Sequence, residues 1–303
     1  MKKFRLHIYI VLGVFVIGFI LGTFVDLPLM EMMFSRGNGF GITVAALSVT
    51  VGYMILAILS GGFFAIAFHK KYKIAYKVLL YIFAVLCFGL AIYYSGREIF
   101  GANGFNQENI VWAGYLIELP VACACSFLGY YLTKKSQNEY LWLIYAIIAA
   151  CIFMALVPGV TLIKSIFHRP RYRTLSLYDG ISFHPWYQRC GNYKDLMETY
   201  NLTSEEFKSF PSGHTGASAV FMLSTIALPF INKKYEKISL ILFYAGFAYA
   251  LFVAYTRILV GAHFLSDVSM GGILTSLFML IGNEVLIFID KKKKISLEEE
   301  QVA

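Results

Sequence analysis

Three short clusters in the second half of the chain bring together side chains able to bind an anion or to attack one. The first is Lys164-Ser165-Ile166-Phe167-His168-Arg169-Pro170-Arg171-Tyr172-Arg173, which packs several cations directly after an apolar run. Such charges repel one another unless an anion sits among them. Phosphate suits the place, because Arg grips its oxygens in pairs and Lys acts as a point charge. Taken alone, the cluster reads better as a basic patch against lipid headgroups. The second is Phe210-Pro211-Ser212-Gly213-His214, followed at once by Thr215-Gly216-Ala217-Ser218-Ala219. Ser before an apolar run predicts a helix N-cap, whose free N–H groups and dipole bind anions. Gly213 lets the backbone approach a ligand, His214 can carry a proton, and the small residues allow another helix to pack tightly. An ordinary capped helix would explain this segment equally well. The third runs from Thr256-Arg257 to His263-Phe264-Leu265-Ser266-Asp267. On a helix, residues four apart share a face, so His263 and Asp267 can hydrogen-bond. A carboxylate on one ring nitrogen fixes the tautomer and leaves the other nitrogen as a nucleophile. A capping pair is the plainer account, and a metal site would need further ligands that the sequence does not offer.

These clusters must be positioned by elements that live in lipid. The 303 residues are 58% hydrophobic and 15% charged, with a mean hydropathy of +0.66. A soluble chain would carry roughly a quarter charged residues. The shortage of charge implies a surface that faces lipid. A span needs about 20 mostly apolar residues, and such runs fall at 8–25, 42–68, 74–95, 110–132, 140–163, 215–231, 238–260 and 264–289. The expected fold is therefore an all-α, polytopic transmembrane bundle of about eight spans, in one integral-membrane domain over 1–303. Met1-Lys2-Lys3 before an apolar stretch resembles a signal peptide, but no A-x-A-like site follows and seven more spans do. The first run is read as an uncleaved helix.

Basic residues choose the side. With both termini cytoplasmic, the inner segments hold Lys2, Lys3, Arg5, Lys70, Lys71, Lys73, Lys77, Lys134, Lys135, Lys233, Lys234, Lys237 and Lys291 to Lys294, which is 16 of the 26 basic residues. That is the positive-inside bias, and it puts all three clusters on the outer face. The net charge of +8 serves topology, since no basic patch interleaved with aromatics suggests nucleic-acid binding. Cys87, Cys123, Cys125, Cys151 and Cys190 form no C-x-x-C pair, so neither a disulfide framework nor a cysteine-ligated metal is expected. The connection 164–213 is long and rich in aromatics, a pattern that marks functional or mobile loops. Glu118, inside the fourth span, is a functional candidate by default: a cavity-lining group, a protonated acid or a partner for a neighbouring helix. Glu284, near an inner end, is expected to snorkel.

Together the three clusters resemble the signature of the type 2 phosphatidic acid phosphatase superfamily, the lipid phosphate phosphatases. That signature reads K-x6-R-P, then P-S-G-H, then S-R-x5-H-x3-D. Here Lys164 precedes Arg171 by six intervening residues, Pro211-Ser212-Gly213-His214 is present, and Arg257-x5-His263-x3-Asp267 completes the set. Tyr172 stands in place of Pro and Thr256 in place of Ser. The resemblance implies a six-helix core with its motifs over about 140–290, and two additional helices within about 1–110, around Met30 to Tyr94. It implies that His263 attacks phosphorus, Asp267 orients it, and His214 protonates the leaving oxygen and then activates water. Lys164, Arg171, Ser212, Gly213 and Arg257 would hold the phosphoryl oxygens. No cofactor and no metal are implied. The expected activity is hydrolysis of a membrane-lipid phosphomonoester or pyrophosphate, with undecaprenyl pyrophosphate, phosphatidic acid and phosphatidylglycerophosphate as candidates. The expected setting is a bacterial plasma membrane. A lipid phosphotransferase would share the phosphohistidine. A transporter would need the inverted repeats of broken helices that this sequence lacks.

Overall fold

Lipid offers no hydrogen bonds, so each apolar run must satisfy its backbone internally, and for single runs that means helices. The computed structural model describes residues 2–101, 105 and 107–302, with side chains over 4–292 apart from 102–104, 106 and 108. The side chains of Lys2, Lys3, Lys293 and Lys294, counted above among the inner cations, lie outside that set. No strand occurs among the described residues. The first four helices are α1 (Lys2–Met33), α2 (Gly39–His69), α3 (Ile74–Phe100) and α4 (Val111–Thr133). Helix α5 (Leu141–Met154) runs on through a π-helical stretch, Ala155–Leu162, into α6 (Ile163–Phe167). Pro158 lies inside that stretch and denies it one backbone donor, a common cause of local helix widening. Short helices α7 (Tyr172–Leu175) and α8 (Tyr193–Tyr200) follow. The chain then returns through α9 (Gly213–Thr225), α10 (Leu228–Ile231), α11 (Glu236–Leu259) and α12 (Leu265–Val302). Among the described residues, eight helical stretches are long and apolar enough to cross a membrane, so the protein is a multi-pass helical bundle, as its hydropathy predicts.

The helix ends differ from the hydropathy windows for a physical reason. The first apolar window closes at residue 25 because Asp26 follows, yet α1 continues through Asp26 and Pro28 to Met33. It can do so because the Asp26 carboxylate is matched inside the protein. Likewise α3 runs past Ser95 to Phe100, carrying Arg97 and Glu98 in its last turn.

Helix α1 packs along α12, and α9 sits among α2, α11 and α12. On the far side of α2, α3 and α4 pack against it and against each other. Helix α5 also packs on α2, but α3 and α5 scarcely touch. The small-residue run of α9 is a contact surface, as expected: a Cβ at Gly52 of α2 would collide with the Ala217 carbonyl. At one end of the bundle the lysine-rich connections are tied together. Lys70 Nζ donates to the Ser136 carbonyl at 3.0 Å, and Asn138 Nδ2 donates to the Phe230 carbonyl at 3.2 Å. Arg5 pairs with Glu284, which places the start of α1 and the later part of α12 together. Glu284 is thus ion-paired as well as half exposed. The three chemical clusters lie at the opposite end of these helices.

The connection 164–213 is folded. Ile181, Cys190 and Phe207 form a small buried core, flanked by Tyr178, Tyr193 and Leu196. All five cysteines are free. Glu118 is buried and accepts from Thr50 Oγ1 of α2 at 2.5 Å, which makes it a partner between helices.

Packing this close predicts a contrast between two glycines. Gly52→Ala should lower the thermal unfolding midpoint in detergent by the equivalent of about 1–3 kcal/mol, because a methyl group is forced against backbone. Gly89→Ala, where nothing lies within 4 Å, should leave the midpoint unchanged or raise it slightly.

Candidate active site

The site begins with a turn. After α11 the chain reverses at Gly261, whose φ of +68° is a backbone region that glycine enters without strain. A Cβ there would also strike the Phe34 ring. The Arg257 carbonyl accepts from the N–H groups of Ala262 and His263 at 3.1 and 3.3 Å, so the turn is fastened to the end of α11. It delivers His263 to the interior, where it is 1% exposed.

The orienting partner of His263 is not the expected one. Its Nδ1 lies 2.6 Å from the carbonyl oxygen of Ser209. A carbonyl can only accept, so Nδ1 carries the hydrogen and Nε2 keeps its lone pair. Asp267 Oδ2 is 3.8 Å from Nδ1, beyond hydrogen-bonding distance. That oxygen instead accepts from Ser209 Oγ at 2.5 Å and from the Phe264 N–H at 2.7 Å. Asp267 therefore fixes the two segments that flank the histidine, and Ser209, which motif reading passes over, orients the ring through its backbone.

Behind Asp267 stands a second group that the sequence reading did not assign. Arg169 donates from Nη1 to Asp267 Oδ1 at 2.5 Å and from Nη2 to Asp26 Oδ2 at 2.9 Å. Its Nε donates to the His184 carbonyl, and its guanidinium lies 4.1 Å over the Phe264 ring. Asp26, on α1, also accepts from the N–H and Oγ of Ser266 at the start of α12. Arg169 is a structural cation saturated by two carboxylates. The signal for Asp26 was present: a carboxylate inside an apolar run demands a buried partner.

The expected anion-binding residues surround the two histidines. Arg171 is buried and held by protein carbonyls: Nε donates to Glu205 at 2.7 Å and Nη1 to Ala262 at 3.1 Å. Lys164 Nζ donates to the Lys208 carbonyl at 2.6 Å. Arg257 is completely buried, and it lies with Lys164 and Arg171 within electrostatic reach of both His263 and His214. Ser212 caps α9, its Oγ accepting from the Thr215 N–H at 3.3 Å; its own hydroxyl proton remains available to an anion. A Cβ at Gly213 would make only an ordinary contact with Val160, so protein packing does not demand glycine there. Among the described residues, no three His, Cys, Asp or Glu side chains are grouped to hold a metal.

Burial, followed by Arg171, Lys164 and Arg257, holds the His263 imidazole well below its usual pKa, although the Ser209 hydrogen bond works the other way. A neutral ring with a free Nε2 is the form a nucleophile requires.

Lys164, Gly213 and His214 line one end of a cavity of about 1000 Å³. Glu98, Glu205 and Lys208 share that polar end, and Tyr53, Phe83, Leu86, Leu90, Ile152 and Phe153 line the rest. Phe83, Leu86, Leu90 and Phe153 are also exposed, and the cavity lies between α3 and α5, which scarcely touch.

A family model described as the PAP2 superfamily matches residues 139–286. These residues, just under half of the chain, are thus similar to that superfamily. The match takes in every expected catalytic and phosphate-binding residue, from Lys164 to Asp267, and leaves α1 to α4 outside. Members of this superfamily are phosphatases, so the chain is read as a phosphoric ester hydrolase. None of the curated proteins and none of the solved structures compared matches the chain.

Two tests probe the supports of this candidate site. Asp26→Asn leaves Arg169 with one carboxylate in a dry environment, and should lower stability by about 3 kcal/mol, read as thermal midpoint. Glu206 supports the Arg171 segment through Arg173 and through Thr174 Oγ1, 2.6 Å away. Burial alone would raise its carboxyl, but the Arg173 hydrogen bond and charge hold it at about 2, against an ordinary 4.5. The folded state thus favours the carboxylate. Its stabilisation is full above pH 4.5 and fades as pH falls towards about 2, amounting to at most about 3 kcal/mol. Unfolding curves of the wild type and Glu206→Gln should converge over that window.

Proposed function

We propose that this chain removes a phosphate or pyrophosphate group from a membrane lipid at the outer face of the membrane, through a phosphohistidine on His263. One observation carries the reading: His263, with Nδ1 committed to a carbonyl and Nε2 left free, lies within electrostatic reach of Lys164, Arg171 and Arg257, and Lys164 and His214 line the polar end of a largely apolar cavity. In the first step Nε2 of His263 attacks phosphorus. The bond to the lipid oxygen breaks as the imidazolium of His214 gives that oxygen a proton. Lys164, Arg171, Arg257, Ser212 and the Gly213 N–H oppose the charge that spreads over the phosphoryl oxygens. In the second step neutral His214 takes a proton from water as its oxygen attacks phosphorus, and the bond to His263 breaks. Phosphate leaves and His214 is again protonated. The positive field comes from side chains and a helix N-terminus, so the reaction is proposed to need no metal.

The cavity favours a lipid over a soluble ester. Its volume is near the upper end for small-molecule sites, and its apolar part is flanked by α3 and α5 at bilayer depth. The lysine-rich end, opposite the site, is assigned to the cytoplasm by the positive-inside bias. Substrates presented in the outer leaflet of a plasma membrane then fit best: undecaprenyl pyrophosphate, phosphatidic acid or phosphatidylglycerophosphate.

The test is phosphate release by detergent-purified protein with chelator present, over those lipids in long- and short-chain forms. Wild-type protein should release phosphate, long chains should lower KM, and His263→Ala should reduce turnover by at least about a thousandfold, the scale of losing a covalent nucleophile. Equal release by wild type and His263→Ala would overturn the mechanism. Phosphorylation of His263 without release into water would point to transfer onto another acceptor.

A further inference from the structure

The family match begins at residue 139, yet α3 sends a carboxylate into the site. Glu98, in the last turn of α3, places Oε2 3.8 Å from Nε2 of His214. His214 is buried, and that nitrogen has no hydrogen-bond partner. The groups that act most strongly on it are Lys164 of α6, Arg171 in the segment beyond, Arg257 of α11 and His263 from the turn before α12, all cations or a neutral ring. Glu205 and Lys208 line the same end of the cavity. A general acid must hold a proton when the reaction starts, and three neighbouring cations work against that. Glu98 also interacts electrostatically with Arg257 and Lys164.

The two histidines are thus arranged in parallel. Each faces a carboxylate at 3.8 Å: Asp267 for His263 and Glu98 for His214. The carboxylates differ in kind. Asp267 is 0% exposed and committed to Arg169, Ser209 and Phe264, whereas Glu98 is 28% exposed and lines the cavity.

We propose that Glu98 is the charge partner of His214, a positioning residue supplied by a helix outside the matched stretch, which keeps His214 protonated for the departure of the lipid oxygen. The proposal rests on the reading of His214 as the acid–base group. Glu98 remains a carboxylate throughout. The proton that reaches the leaving oxygen comes from the His214 imidazolium as the P–O bond breaks and the bond to His263 forms. It is replaced from water when the phosphohistidine is hydrolysed.

The test compares leaving groups. Single-turnover formation of the phosphoenzyme would be measured with short-chain phosphatidic acid, whose alkoxide needs a proton, and with p-nitrophenyl phosphate, whose phenolate leaves without one. Glu98→Gln should slow the first reaction by about tenfold to a hundredfold, at the lower end of acid–base effects, and the second far less. Glu98→Asp should recover most of the loss, with KM for both substrates close to wild type. Equal loss with both leaving groups would mark Glu98 as merely structural and overturn the proposal, and so would no loss with either. His263→Ala, run alongside, keeps the two readings apart. If it still hydrolyses both substrates, the phosphohistidine itself has failed; if it is inactive while Glu98→Gln behaves as wild type, only the role of Glu98 has.

Discussion

A guanidinium withdrawn from water between helices must be met by carboxylates, and Arg169 is met by two, Asp26 on α1 and Asp267 on α12. Much of the site follows from that constraint. Asp26 draws in the first turn of α12 through Ser266, and Asp267 draws in Ser209 and the Phe264 N–H. The Ser209 carbonyl then sets the ring of His263. The first and last spans, 240 residues apart at Asp26 and Ser266, are thereby joined at the depth of the chemistry. Such an arrangement costs desolvation that a hydrophobic contact would not. What it contributes is a fixed relation between three segments that no covalent bond connects.

The two histidines sit in unlike environments, as the proposed division of labour between them requires. His263 is sealed in and turned so that its hydrogen points at a carbonyl, which suits a nucleophile. His214, in the first turn of α9, keeps a buried nitrogen without a hydrogen-bond partner at the edge of a cavity. The orienting group for His263 is a backbone atom, so its aim depends on the path of residues 209–211, which the Ser209 hydroxyl on Asp267 helps to hold.

What the sequence made legible was whatever has a period or a spacing. Eight apolar runs marked eight helices, and the three motifs came together across a connection of some fifty residues, because the helices that carry them pack side by side. Ser212 as a helix cap and the small residues of α9 as a packing face were readable for the same reason. The limits have equally definite causes. Spacing four apart brought His263 and Asp267 near one another, but α12 starts at Leu265 and leaves His263 in a turn, so the hydrogen bond expected on a helix face went to Ser209. Asp26 and Glu98 reach the site only through a fold that pattern cannot convey: Asp26 pairs with Arg169, 143 positions away, and Glu98 faces His214 from another helix. The aromatic connection looked irregular because its core of Ile181, Cys190 and Phe207 follows no helical or strand period.

With the lipid substrate proposed above, the gap between α3 and α5 changes what concentration means for this protein. A mouth that faces hydrocarbon is supplied by molecules moving in a plane, and their number per unit area of membrane sets how often it is filled. The same amount of lipid spread through more bilayer, or through more detergent, would be a more dilute supply even in an unchanged volume of water. Crowding of the leaflet, its thickness beside α3 and the competition of inert lipids for the same opening then govern encounter as directly as the affinity of the site itself.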